Sequence, residues 1–291
     1  MNRLAAIALF AAALFFTFHR LGSGSLAPWD ESLTAERSRE MLASGDWLTP
    51  QLGFEPNFQK PPLYYWITAT LFRAIGQDEF SVRLTSACFG LGCVVLVFLL
   101  GRGAGGPGCG LLCAAALALN PHWMFLTRQG MLDSGMAFGL LGCTWALTRP
   151  GPRPGAAGFF LALGCLIKTP LVLAGLVIPA FERLAVRREP GARRDIVIAA
   201  LVACVAGLWW YLFAVVRWGN AFWQTFFVYN TWMRMTETVE GHANSPTFYP
   251  TMILQHAPVC FGLFVVALIV ALTCRAIARK HATFLLASVI G

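Results

Sequence analysis

The sequence predicts an all-α protein that threads a membrane many times. Hydrophobic residues make up 57% of the 291 positions and charged residues 12%, about half the share of roughly 25% in a soluble globular chain. Apolar runs close to the ~20 residues that a membrane-crossing helix needs recur along the chain. Basic residues gather on alternate connections between those runs.

Taken in order, spans are expected near 4–19, 80–100, 108–126, 133–148, 156–171, 170–184, 196–216 and 257–274. A ninth run opens near 282 and is still apolar at Gly291, so the chain is expected to be either the N-terminal part of a longer protein or a shortened homologue. The run at 4–19 is longer than the ~7–15-residue core of a signal peptide, and is expected to stay as an anchor. Lys168-Thr169-Pro170 blurs the boundary between the fifth and sixth spans. Glycine- and proline-rich points such as 101–110 and 150–155 are short connections. Two larger connections, 20–79 and 217–256, are expected on the outer side of one membrane domain covering 1–291.

The net charge is +8, and its placement sets the orientation. With the N-terminus inside, twelve of the 22 Lys and Arg face the cytoplasm against three of the 14 Asp and Glu. Lys and Arg excess marks the cytoplasmic side. The basic loop 183–194 reads as a topology determinant rather than a nucleic-acid site, and no nucleic-acid partner is expected. The nine cysteines lie in or beside apolar runs with no C-x-x-C pair, and read as small packing residues.

The first outer connection carries the chemistry. Trp29-Asp30-Glu31 opens a helix to about Ser44, and Gln59-Lys60-Pro61-Pro62-Leu63-Tyr64-Tyr65-Trp66 opens a second. Asp suits a helix N-cap, proline suits a first turn, and aromatic residues suit a membrane interface. Asp30 is therefore either a cap or a working carboxylate. Asp133 has the same two readings at the start of its span, after Arg128-Gln129-Gly130.

These blocks resemble a family signature in the right order. It continues through Ala35-Glu36, Arg39-Glu40-Met41-Leu42, Gly45-Asp46-Trp47, Glu79-Phe80-Ser81-Val82-Arg83-Leu84, Leu166-Ile167-Lys168-Thr169-Pro170, Trp209-Trp210-Tyr211 and Glu240-Gly241-His242. The sequence is similar to the dolichyl-phosphate-mannose protein mannosyltransferases and their bacterial relatives, including the lipid A aminoarabinose transferase. The resemblance implies a GT-C helix bundle with interfacial helices in its first outer loop. It implies a glycosyltransferase that takes a sugar from a polyprenyl phosphate and gives it to a lipid or protein acceptor. The site would face away from the cytoplasm, in a bacterial inner membrane.

By the same resemblance Asp30 and Asp133 are expected to be the catalytic carboxylates, and Glu31, beside Asp30, is counted with them. Lys60, Arg128, Lys168, Arg234 and Tyr64 are the groups for the donor phosphate. Breaking the sugar's anomeric bond leaves negative charge on the departing phosphate, so cations are wanted nearby. A carboxylate would take the proton of a hydroxyl acceptor, or stabilise the positive sugar centre. No cofactor is assigned; the candidate is a divalent metal ion, held by His242 with Asp30 or Asp133.

The sequence also departs from the family pattern. Gln59 stands where many bacterial relatives carry an acid, Thr34 where a Tyr often follows Asp-Glu, and Asn230 where a His often precedes the Arg. The first and third changes remove groups that could hold a divalent ion. Two rival readings follow: a transporter or lipid flippase, and a non-catalytic subunit that keeps the fold.

Overall fold

A computed structural model describes residues 3–233 together with 251, 254 and 255. The expected span at 257–274, the run from 282, Arg234 and His242 lie outside the described residues.

The described part is a helix bundle with one two-stranded ribbon. Helix α1 (Arg3–Phe18) packs on α4 (Glu79–Ala118), burying Ala13 against Val94, Phe98, Ala114 and Ala118. Between them lie α2 (Asp30–Ser44), the strands β1 (Gln51–Leu52) and β2 (Glu55–Pro56), and α3 (Leu63–Ile75). Then come α5 (Pro121–Thr127), α6 (Asp133–Thr148), α7 (Pro154–Ile167), α8 (Val177–Phe181), α9 (Ala192–Trp218) and α10 (Asn220–Phe222). Helix α7 packs between α6 and α9, around Cys143, Leu147, Leu161, Cys165, Ala199 and Ala203.

The bundle has the inverted pattern of a membrane protein. On α9 the small residues Ala199, Ala203, Gly207 and Ala214 face inward, while Val197, Leu201, Val205, Leu212 and Val216 face out. Water would reject that outer face; lipid accepts it, and close small-residue packing replaces the hydrophobic drive between helices. Among the described residues α4 and α9 are long and apolar enough to cross a bilayer alone, and α1 and α7 are shorter apolar helices.

Gly158 is the tightest point of the α7–α9 seam. A β-carbon there would stand 2.5 Å from the Ala199 carbonyl oxygen and 2.6 Å from Val202 Cβ. We expect Gly158→Ala to force the helices apart and cost about 1–3 kcal/mol, the usual range for overpacking. Thermal unfolding in detergent checks this, and an unchanged midpoint would refute it.

The expected elements are met in part and corrected in part. The runs at 80–100 and 108–126 are the two arms of α4, turned back on each other at Gly105 and Gly106, where the backbone leaves helical angles, within the glycine-rich connection expected at 101–110. Gly110 then lies against Phe98, with only 2.6 Å from its would-be β-carbon to the Phe98 carbonyl oxygen. The second of these runs also stops at Ala118, and Asn120 caps the separate α5 through the Trp123 N–H. The expected span at 170–184 is an irregular series: a 3-10 turn at Pro170–Leu176, then α8, then a π-turn at Glu182–Val186. Pro170 suits the first turn of this stretch, but Pro179 removes a backbone donor inside it and interrupts a regular ladder. The connection expected from 217 onward continues helical, as α10 and a π-helix at Trp223–Met233.

Candidate active site

The first loop folds as an interfacial platform. Helix α2 spans Asp30–Ser44 and ends on Gly45 in the left-handed conformation, a glycine-favoured stop. The β1–β2 turn places Gly53 and Phe54 at positive φ, and their N–H groups donate to the two carboxylate oxygens of Glu40, each at 2.8 Å. Pro62 then opens α3. An aromatic layer lies under the platform, in which Met41, Tyr64, Tyr65, Leu132 and Ile167 are buried together, with Trp47, Trp66 and Phe89 at its edge.

Leu132 and Ile167 bring the bundle to this layer, and the next residue after each is charged. Asp133 opens α6 and Lys168 ends α7, and the Lys168 ammonium meets the Asp133 carboxylate at 2.5 Å. The pair is open to its surroundings, with side-chain exposures of 25% for Lys168 and 43% for Asp133. Neither Asp30 nor Asp133 is a capping residue, contrary to one expectation. Trp29 precedes α2 at φ 70°, Leu132 precedes α6, and neither helix start carries a side-chain cap. Asp30 is exposed on the first turn of α2, close enough to Tyr65 to act on its phenol electrostatically. Lys60 is half-buried beside Gln59 at the turn into α3. Asp30 thus borders the layer at Tyr65, the Asp133–Lys168 pair adjoins it in sequence through Leu132 and Ile167, and Lys60 precedes Leu63 at its edge by three residues.

Three expected site residues are committed elsewhere. Glu31 is 1% exposed. It accepts from Arg83 Nε at 2.8 Å and Nη2 at 3.2 Å, from the Ala27 N–H at 2.6 Å and from the Gly130 N–H at 3.0 Å. With its lone pairs taken and water excluded, its carboxylate joins the lead-in loop, α4 and the turn before α6. Arg128 donates to the carbonyls of Phe16, Thr17 and His19, closing the C-terminal end of α1; that guanidinium is spent on backbone. Tyr64 is fully buried against Ser86, and burial pushes its phenol above the usual range, so it remains a neutral interior group.

Arg83 is the residue the sequence reading quoted without a role. Besides Glu31 it donates to the carbonyls of Leu21, Ser23, Gly24 and Ser25 at 2.9–3.3 Å. One guanidinium therefore ties the lead-in loop, α2 and α4 together, and Glu31 adds the turn before α6. Its only signal in the sequence is a cation in the first turns of an otherwise apolar helix.

Burial raises the Glu31 carboxyl, but the bonds from Arg83, Ala27 and Gly130 outweigh it and hold the acid below its ordinary 4.5. A carboxyl depressed on folding stabilises the native state above its unfolded value and loses that stability as pH falls through the folded one. We expect thermal stability in detergent to be level above about pH 5 and to fall below 4.5. Glu31→Gln should lose this acid-side slope; a variant that keeps the full slope would show that another group sets it.

A shallow apolar groove of about 490 Å³ runs beside the platform, lined by Trp209, Leu212, Phe213, Val216 and Arg217 of α9. Trp209 stacks on Trp66 of α3, with ring centroids 6.2 Å apart. None of Asp30, Lys60, Asp133 and Lys168 lines it. Among the described residues no group of three His, Cys, Asp or Glu side chains is placed to hold a metal ion.

A polytopic helix bundle crowned by an interfacial first loop is the architecture of the GT-C membrane glycosyltransferases. The sequence profile of the dolichyl-phosphate-mannose-protein mannosyltransferases matches residues 59–210, and the chain belongs to that family. It is 28% identical to the undecaprenyl phosphate-alpha-4-amino-4-deoxy-L-arabinose arabinosyl transferase 2 of Proteus mirabilis, over 87% of this chain and 48% of the relative. It is 33% identical to transferase 1 of the same name from Sodalis glossinidius, over 79% of this chain and 43% of the relative. The fold is also that of the crystal structure of ArnT from Cupriavidus metallidurans bound to undecaprenyl phosphate. The TM-score is 0.76 at 21% identity, covering 100% of this chain and 60% of that one. The apo form gives a TM-score of 0.78 at 23% identity, covering 99% and 54%. The chain spans about half the length of the curated relatives it matches.

Proposed function

We propose that the protein is the N-terminal membrane domain, 1–291, of a glycosyltransferase that takes its sugar from a polyprenyl phosphate. The single observation that carries this reading is the Asp133–Lys168 pair, adjoining the aromatic layer that Asp30 also borders. The relatives' names favour undecaprenyl phosphate as carrier and 4-amino-4-deoxy-L-arabinose as sugar. The acceptor is a lipid A-like glycolipid in the first instance, with a protein as the second. The site faces away from the cytoplasm in a bacterial inner membrane, in keeping with the positive-inside count.

In this reading the acceptor oxygen attacks the anomeric carbon. The bond from that carbon to the phosphate oxygen breaks, and the polyprenyl phosphate leaves with both electrons. Lys60 and Lys168 stabilise the charge that gathers on the phosphate. Electrostatic groups already in place where charge develops are among the largest contributions an enzyme makes. Asp30 or Asp133 takes the acceptor's proton if the acceptor is a hydroxyl; a phosphate acceptor needs no base, and the carboxylates then hold the amino sugar. The α9 groove takes the lipid tail, which is held there by close packing against apolar side chains, since within a bilayer the hydrophobic drive is absent.

The test is transfer of labelled sugar from an undecaprenyl-phosphate sugar to lipid A in membranes containing the protein. Sugar on the acceptor, or released to water, supports the reading. Movement of the intact donor across the bilayer with no release would replace it with a transporter.

A further inference from the structure

Arg37 on α2 is a buried guanidinium with no acidic partner among the described residues. It is 4% exposed. Its Nη2 donates to Gln59 Oε1 at 2.7 Å, its Nη1 to the Tyr65 hydroxyl at 3.3 Å, and its Cζ lies 5.9 Å from the Tyr65 ring centroid. Its Nε is buried and meets no acceptor among the described residues. The other buried arginines there are matched by acids, Arg83 by Glu31 and Arg183 by Glu189 and Asp195.

The remaining acids of α2 are engaged or turned outward. Glu31 is held by Arg83, Glu36 by Arg39, and Glu40 by the Gly53 and Phe54 N–H groups, while Asp30 is exposed. Arginine stays protonated at every working pH, and an unpaired buried charge is among the most costly features a fold can keep. A cation kept at that cost next to Lys60 calls for an anion that arrives from outside. Of the three residues in this contact chain Gln59 is the one that reaches the surface, and it is neutral.

We propose that Arg37 is an anion-binding residue for the donor: its charge, left available by Gln59, draws a lipid-borne phosphate to the corner formed by Gln59 and Lys60. This rests on the proposed function. Its particular claim is that neutrality at position 59 matters, because a carboxylate there would pair with Arg37 and cancel it.

The experiment measures binding of undecaprenyl phosphate and of undecaprenol to the purified protein in detergent. It compares wild type with Arg37→Met, Arg37→Lys and Gln59→Glu. Wild type is expected to prefer the phosphorylated lipid. Arg37→Met and Gln59→Glu should each bind the phosphate at least tenfold more weakly with undecaprenol unchanged, and Arg37→Lys should recover part of the loss. Should Arg37→Met not fold, Gln59→Glu carries the test. Four results overturn the proposal: undiminished phosphate binding in Gln59→Glu, equal loss for both lipids, binding by Gln59→Glu that a divalent ion tightens beyond wild type, or a loss confined to a phosphorylated acceptor glycolipid. A wild type that binds undecaprenyl phosphate no better than undecaprenol defeats the functional reading itself, which is a separate outcome.

Discussion

Asp133→Asn and Asp30→Asn are each expected to lower sugar transfer by about 10²–10⁴-fold, the range for losing a positioned acid–base or charge-stabilising group. The substitutions keep shape and remove charge. Asp30 makes no side-chain hydrogen bond or ion pair among the described residues, so its loss should leave stability alone. Asp133 gives up its partner, but the pair is partly exposed, and such pairs contribute only about 0–1 kcal/mol. Activity and stability should therefore separate. The measurement is initial rate against donor concentration, with thermal unfolding of the same preparations. An Asp133→Asn protein that turns over at the wild-type rate would remove the observation on which the functional reading stands. A loss of rate that tracks a loss of folded protein would make Asp133 structural.

Arg83→Met is the largest stability change we expect. It strands the Glu31 carboxylate in an interior 1% exposed, and removes the donor to four carbonyls of the lead-in loop. Breaking one side of a buried ion pair costs about 3–5 kcal/mol, and the orphaned carbonyl of buried Leu21 adds to that. Adding Glu31→Gln should restore part of the loss, because no buried charge is then left alone; coupling between contacting residues of this kind reaches about 0.5–3 kcal/mol. Denaturation in detergent of the two single variants and the double variant measures it. Single variants within about 1 kcal/mol of wild type would show that the network is dispensable.

Much of the frame was legible because its causes are local. The stop of α2 at Gly45, the proline start of α3 and the full length of α6 follow from breakers and an unbroken apolar run. The turn at Gly105 and Gly106 was legible as a glycine-rich connection at 101–110. The irregular stretch after Pro170 was harder, because hydropathy counts apolar residues but does not register a proline inside the run. The β1–β2 ribbon escaped for a similar reason, since its turn is held by Glu40, more than ten residues away.

The site divides in the same manner. Trp29-Asp30-Glu31 and Gln59-Lys60-Pro61-Pro62 announced a charged platform, but adjacent carboxylates in one motif read alike on paper. Burial separates them: Glu31 turns inward to Arg83, 52 residues on, and Asp30 stays outside. Arg128 and Lys168 read alike as phosphate ligands in the sequence, but in the fold the carbonyls at the end of α1 occupy Arg128.

By itself the sequence determined what is set by short-range chemistry and composition: an α-helical membrane bundle, its family, and a charged aromatic first loop. Only the tertiary structure decided which charges are available and which are spent. An ion pair such as Asp133–Lys168, or an unmatched cation such as Arg37, depends on helices that meet across tens of residues, and hydrophobic periodicity carries no record of which polar tips will find each other once the apolar faces have packed.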